Sequence, residues 1–113
     1  MSVVLSVIDA GHSPDPADLR DAVRVLLSAL RTRAPGRSVE MRVPPYGAIQ
    51  CVAGLTHTRG TPPNVVETDP ITFVRLATGR LDWSEAVAAG SVRASGTRSD
   101  LSSYLPCWTT PAL

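Results

Sequence analysis

The fold is decided by the stretch DPITFVRLATGRLDWSEAVAAGSVRASG, residues 69–96. Asp69 followed by Pro70 is a typical helix start, because the carboxylate accepts hydrogen bonds from free helix N–H groups and proline tolerates the first helical position. Apolar residues then recur at three- and four-residue spacing until Gly79. This pattern predicts an amphipathic helix that ends at the glycine.

Two more helices and a strand are expected further along this half of the chain. Asp82–Glu85 is similar to a capping box with Asp in place of Ser or Thr, so it predicts a short helix, which Gly90 ends. Ser91–Ser95 alternates polar and apolar residues and predicts a strand. Residues 99–106 are expected to form a last helix, with a Ser-Asp pair supplying the cap and a proline the end.

The N-terminal third is expected to hold one long helix. Asp15-Pro16 repeats the cap-plus-proline start, and apolar residues recur on one face up to Pro35-Gly36. The β-branched run Val3–Ile8 is interpreted as a short strand or a mobile lead-in. We expect it to pair with a sheet edge or with a second subunit, since an unpaired apolar strand promotes association.

The middle of the chain predicts three strands. Val39–Val43 alternates apolar and charged residues, Pro44–Gly47 forces a turn, and Ala48–Ala53 supplies the second strand of a hairpin. Asn64–Glu67 is a further short strand. Strands grouped apart from helices predict an α+β fold, with a small, mostly antiparallel sheet covered by helices.

The length of 113 residues predicts a single domain, with residues 1–14 as a lead-in and residues 106–113 as a tail. All eleven basic residues are arginine. The absence of lysine excludes a phosphate-loop NTPase, a pyridoxal-phosphate Schiff base and a Ser–Lys catalytic pair, each of which needs a lysine amine.

Charge and hydropathy exclude two further classes of partner. The ten acidic residues nearly balance the arginines, for a net charge of +1, and no basic stripe is present, so we expect no nucleic-acid binding. No apolar run reaches the roughly 20 residues needed to span a bilayer. We therefore expect a cytoplasmic protein without a membrane span.

The two cysteines predict neither a metal site nor a redox pair. Cys51 and Cys107 are far apart in sequence, with no C-x-x-C or His-rich spacing. We expect two isolated buried thiols rather than a disulfide. No metal and no cofactor is expected.

The C-terminal half resembles the sterol carrier protein type 2 family over residues 67–105. The helix that ends in Gly79 and a basic residue, and then the run AVAAGSVRASG with its short helix, glycine, strand and glycine, carry this resemblance. With RVPPY at 42–46 and HTRGTPPN at 57–64, the whole chain is similar to a small bacterial branch of that superfamily.

The resemblance implies a sheet covered by helices, with an apolar tunnel between them that accepts lipid or fatty acyl chains. Family domains usually reach the helix corresponding to residues 69–79 through several regular strands. Here a proline-rich loop fills much of that interval, so we expect a smaller sheet and a reduced tunnel.

Five apolar residues are candidates for lining such a cavity. They lie on the helix after Asp69 and on the last predicted helix: Phe73, Leu76, Leu101, Tyr104 and Leu105. The same residues are what a solid core would use, and the sequence leaves both interpretations open.

The densest polar group is HTRGT at residues 57–61. Arg59 could form a bidentate pair with a ligand carboxylate, with His57 completing the contact. The alternative is that Arg59 pairs with Glu67 or Asp69 and holds its loop in place, as arginines near acids usually do. A Cys51–His57 dyad is conceivable but lacks an orienting partner.

With no credible catalytic constellation, we expect a non-enzymatic protein that binds an apolar small molecule or acyl chain between sheet and helices. The alternative is a protein-interaction or accessory module with a filled core and no ligand. A homodimer is compatible with either. A small enzyme that uses Arg59, His57 and Cys51 is a third hypothesis.

Overall fold

The computed structural model describes residues 1–54 and 64–109 of the chain. In this part, four helices and four strands follow one another as α1 (Ser2–Asp9), α2 (Pro16–Arg33), β1 (Val39–Val43), β2 (Gly47–Cys51), β3 (Asn64–Thr68), α3 (Pro70–Ala77), α4 (Trp83–Ala88) and β4 (Val92–Ser95). The strands form one sheet in the order β2-β1-β3-β4.

The sheet is mixed but mostly antiparallel. β1 pairs with β2 and β3 pairs with β4 in antiparallel register, whereas β1 and β3 run parallel. Along β1 and β3, buried residues alternate with half-buried ones, so one face of the sheet is apolar. Helix α2 packs against β2 and α3, which covers that face. The predicted α+β fold is confirmed.

The two Asp-Pro helix starts are confirmed by their hydrogen bonds. The Asp15 carboxylate accepts from the Ala17 backbone N–H at 2.9 Å, and the Asp69 carboxylate accepts from the Thr72 N–H at 3.0 Å. Asp82 is the N-cap residue of α4, but its side chain makes no capping hydrogen bond, so the predicted capping box is wrong.

The prediction of a strand at Val3–Ile8 is wrong, because these residues lie in α1. The helix places Val4 and Leu5 together on one side, where both are buried in the core. A run of β-branched residues favours a strand only weakly, and burial of this apolar face outweighs that preference.

The last predicted helix is also wrong, since residues 102–104 form a turn and residues 105–109 have no regular secondary structure. The Arg33 side chain donates to the carbonyl oxygens of Ser103 and Tyr104, at 3.4 and 3.1 Å. The Asp100 carboxylate accepts from the Ser102 N–H at 2.9 Å, an Asx turn that does not continue into a helix. Hydrogen bonds from the distant Arg33, rather than the backbone hydrogen bonds of a helix, therefore hold this segment.

A close backbone approach fixes the exit of β2. A Cβ on Gly36 would lie 2.2 Å from the Val52 carbonyl carbon, so only glycine fits there. Val52 has a φ of 66°, which costs a β-branched residue roughly 1–3 kcal/mol. Its N–H donates to the Ala34 carbonyl at 2.7 Å, which helps to hold this conformation.

Within residues 1–54 and 64–109, no helix has both the length and the apolar character needed to cross a membrane.

Candidate ligand-binding site

The five predicted apolar lining residues meet in one core. Phe73 and Leu76 lie on α3, and Leu101 lies on the segment after β4. The exposed fractions of these three residues are 0%, 1% and 0%, so all three belong to the buried core. Tyr104 and Leu105 are half-buried and pack against the same cluster.

The predicted polar candidates His57 and Arg59 lie outside the described residues. The two acids proposed as partners of Arg59 have other contacts. Glu67 lies 3.8 Å from the Arg93 guanidinium, and Asp69 caps α3 and accepts from the Thr72 hydroxyl at 2.6 Å.

Both cysteines are free, as predicted. Cys51 is fully buried and Cys107 is half-buried, so the expectation of two buried thiols holds only for the first. Burial raises the pKa of each thiol to about 11. Both are therefore protonated at neutral pH, and neither is an activated nucleophile.

An apolar groove lies outside the predicted set of residues. Two adjoining hollows, of about 670 and 480 Å³, share Val25 and Trp108 in their linings. We call this pair the Trp108 groove. Ala29 and Arg33 on α2 line the larger hollow together with Cys107. Met1, directly before α1, and Val3 and Val4 on α1 line the smaller one.

The exposed apolar side chains of this groove distinguish it from the core. Val3 and Val25 are 66% and 46% exposed, and Trp108 is half-buried between α1 and α2. A neighbouring group of large apolar side chains in contact with water is typical of a ligand or partner surface.

The end of segment 101–108, Cys107 and Trp108, forms one side of the groove and contacts α2 and α3. The backbone N–H groups of Cys107 and Trp108 both donate to the Ala77 carbonyl at the end of α3, each at 3.0 Å. The Cys107 thiol contacts the Leu26 carbonyl at 3.7 Å. These bonds hold Trp108 in place although the segment has no regular secondary structure.

A third hollow, also of about 480 Å³, is lined in part by residues of the same segment, Leu105 and Pro106. Leu76, Leu81, Trp83 and Leu105 supply its apolar part, and Asp82 and Asp100 are among its polar residues. Two of the predicted lining residues, Leu76 and Leu105, therefore border this hollow.

Sequence reasoning missed the Trp108 groove for an identifiable reason. Val25 lies off the buried stripe of α2 and looks like a single surface valine, and Trp108 follows no periodic pattern. The only available signal was an apolar Cys-Trp pair directly after Pro106. Its position beside α1 depends on long-range contacts.

Comparison with known families matches the fold. An α+β fold with a small mixed sheet covered by helices is consistent with a domain of the sterol-carrier type. The chain belongs to the family described as bacterial SCP ortholog, whose model matches residues 15–107. The expected resemblance to a bacterial branch of sterol carrier proteins is confirmed. A search of curated proteins found no match.

Proposed function

We propose that this protein binds an apolar small molecule or a single acyl chain without chemically changing it. Membership in a sterol-carrier family supports this function. The observation that carries it is the Trp108 groove, whose two hollows of about 670 and 480 Å³ each fall in the range of roughly 300–1,000 Å³ typical of ligand sites.

The ligand in this proposal lies along α2, against Val25 and Ala29, with Trp108 on its other side. Arg33 lies at one end of the groove and Asp18 with Asp21 at the other, so the apolar middle is flanked by charged groups. An extended chain with one polar end matches this distribution, because its methylene groups would replace water on the exposed valines.

The predicted lining residues have a secondary place in this proposal. Leu76 borders the hollow beside Leu105, whereas Phe73 and Leu101 have no exposed surface. In this proposal a ligand contacts those two residues only if the segment that Cys107 and Trp108 bind to Ala77 is displaced. Tyr104 and Leu105 lie on that segment. His57 and Arg59 are proposed contacts of the ligand's polar end, with the structural pairing of Arg59 as the alternative.

The test is the binding of oleate and methyl oleate to the intact chain and to two charge-insertion variants. Val25→Asp places a carboxylate in the groove. Val87→Asp is the matched control, since Val87 on α4 is 45% exposed, almost the same as Val25 at 46%, and lies outside the groove. Trp83→Phe in each protein leaves Trp108 as the fluorescent reporter.

We expect Val25→Asp to weaken oleate binding by about tenfold or more, because the ligand would bury an unpaired charge. Val87→Asp should bind like the parent. Equal affinities in the two variants would show that the ligand lies elsewhere. The ester and the acid should bind alike if the apolar chain provides most of the free energy.

A second candidate function is a protein-interaction or accessory module with no ligand. The packing of the core favours it, because the side chains of Phe73 and Leu101 have no exposed surface in the described part of the chain. Native mass spectrometry of the protein purified from cells separates the two functions. A bound lipid mass supports the first, and an unliganded protein that also fails to bind oleate supports the second. The same spectrum tests the predicted homodimer.

A further inference from the structure

A cationic hollow of about 530 Å³ lies between the C-terminal end of α1 and helix α3, at the end of α1 away from Val3 and the Trp108 groove. We call it the α1–α3 hollow. Its lining includes two arginines, a histidine, one carboxylate and two isoleucines: Arg75, Arg80, His12, Asp9, Ile8 and Ile71.

The end of α3 brings the two arginines together. Gly79 has a φ of 79°, the Arg80 N–H donates to the Arg75 carbonyl at 2.8 Å, and the Gly79 N–H donates to the Leu76 carbonyl at 3.3 Å. This is a Schellman motif, which turns the chain back over the last helical turn. The negative end of the helix dipole makes the position favourable for cations.

Asp9 shows how this hollow holds a carboxylate. Its two oxygens accept from Nε and Nη2 of Arg80 at 2.7 and 3.0 Å, the bidentate arrangement in which arginine binds carboxylates and phosphates. The Asp9 side chain is 52% exposed, so this contact is open to the solvent.

Arg75 is the cation that Asp9 does not neutralise. Both oxygens of Asp9 contact Arg80, and within the described part of the chain no carboxylate lies at ion-pair distance from Arg75. Arg75 and Arg80 against Asp9 leave the hollow with a net positive charge even with His12 neutral. Ile8 and Ile71 add an apolar surface beside that charge.

We propose that the α1–α3 hollow binds the carboxylate or phosphate group of a small organic anion between Arg75 and Arg80, in competition with Asp9. The apolar part of the anion contacts Ile8 and Ile71. Asp9 then acts as an internal competitor, which holds Arg80 ready in the free protein. This site is separate from the Trp108 groove, and the proposal does not depend on the apolar ligand proposed for that groove.

The experiment is an NMR titration of the intact chain at low salt, observing the arginine Nε–H signals and the backbone amides of Gly11 and Gly79. The probes are hexanoate, hexyl phosphate, inorganic phosphate and the neutral hexan-1-ol. We expect saturable shifts with hexanoate or hexyl phosphate and none with hexan-1-ol. Saturable shifts with hexan-1-ol equal to those with the anions would overturn the proposal.

The anionic probes also separate the sources of the anion. Tighter binding of hexanoate identifies a carboxylate, and tighter binding of hexyl phosphate identifies a phosphate ester. Inorganic phosphate should bind more weakly than hexyl phosphate. Equal affinities for inorganic phosphate and hexyl phosphate would contradict the proposed contact of the hexyl chain with Ile8 and Ile71.

Three variants complete the test. Arg75→Gln should weaken binding of the anion by about tenfold, the value expected for a lost charge-assisted hydrogen bond. Arg31→Gln makes the same charge change at an exposed position on α2 outside the hollow, and should leave the affinity unchanged. Asp9→Asn removes the competitor and should tighten binding.

Equal weakening by the two arginine variants would show a general charge effect and overturn the proposal. If Arg75→Gln does not fold, the Asp9→Asn variant tests the proposal instead. Unchanged or weaker anion binding in Asp9→Asn would contradict the competition between Asp9 and the anion. Loss of oleate binding in the groove would leave these results unaffected, so the two proposals fail independently.

Discussion

The two faces of the sheet differ in what they contact. On the inner face, Val39, Met41 and Val66 are fully buried under the helices. On the outer face, the register places Arg42 beside Glu67 and Glu67 beside Arg93, an alternation of charge across three strands. The same strands thus pack a core on one side and present charges on the other.

This difference bears on where an apolar ligand can bind. Helices α2 and α3 cover the apolar inner face of the sheet. The outer face is polar, and Arg42 there forms an ion pair with Glu40 at 2.7 Å. Accessible apolar surface among the described residues is therefore found at the outer edges of the helices, where Val3, Val25 and Trp108 lie.

The largest loss of stability is expected from truncating a large side chain in the core between sheet and helices. Phe73→Ala removes the largest of the fully buried side chains and should lower the free energy of unfolding by about 3–5 kcal/mol, since it loses apolar burial and leaves a cavity. Urea denaturation measures it. Val25→Ala on the groove is the control, with a change within about 0.5 kcal/mol. Similar values for the two variants would show that the core is not packed as described.

A smaller loss is expected from Asn64, a buried polar residue at the start of β3. Its amide donates to the Ser38 carbonyl at 2.8 Å, and its oxygen accepts from the Arg98 N–H at 2.9 Å. Asn64→Ala leaves the Ser38 carbonyl and the Arg98 N–H without this partner, and should lower the free energy of unfolding by about 1–3 kcal/mol.

The outer face supplies the control for Asn64. Arg93→Ala removes an 86% exposed side chain that lies 3.8 Å from Glu67, and should change stability by no more than about 0.5 kcal/mol. Thermal unfolding of both variants tests the contrast. An Arg93 effect as large as that of Asn64 would mean that the charge alternation stabilises the sheet more than its exposure implies.

The smallest change in stability is expected from the surface ion pair between Asp9 on α1 and Arg80 just after α3. The hydrogen bond from Arg80 lowers the pKa of Asp9 below its ordinary value of about 4. A lowered folded-state pKa means that the contact stabilises the protein above that ordinary value, and that this stabilisation is lost as the pH falls through the folded pKa.

Asp9→Asn should therefore reduce stability slightly at pH 7 and show a shallower loss on acidification below about pH 4. Melting temperatures across pH 2–7, with Asp18→Asn on α2 as the control, measure the difference. Parallel curves for the intact chain and Asp9→Asn would show that the pair makes no contribution in solution.

Local signals in the sequence predicted the middle of the chain well. Asp15-Pro16 and Asp69-Pro70 start helices where expected, and the alternation in Val39–Val43 marks a strand with one buried face. These signals act within a few residues, through caps and periodic burial, so they can be recognised without knowing what the segment packs against.

The ends of the chain could not be predicted in this way. Val3–Ile8 is helical because Val4 and Leu5 are buried against the rest of the core. Residues 102–104 form a turn, and the carbonyls of Ser103 and Tyr104 accept from Arg33 on α2. In both cases the deciding partner is distant in sequence, as it is for the pairing of Asp9 with Arg80, 71 residues apart.

The candidate sites likewise combine features that the sequence predicts with features that depend on the tertiary structure. The sequence by itself determined the α+β class, the helix starts, the family resemblance and the set of large apolar residues available for a core. Only the tertiary structure decided that Phe73, Leu76 and Leu101 fill that core, that Trp108 lies against α1 and α2, and that Arg75 and Arg80 meet Asp9. The physical reason is that caps and periodicity depend on neighbouring residues, whereas burial and the pairing of charges depend on which segments pack together.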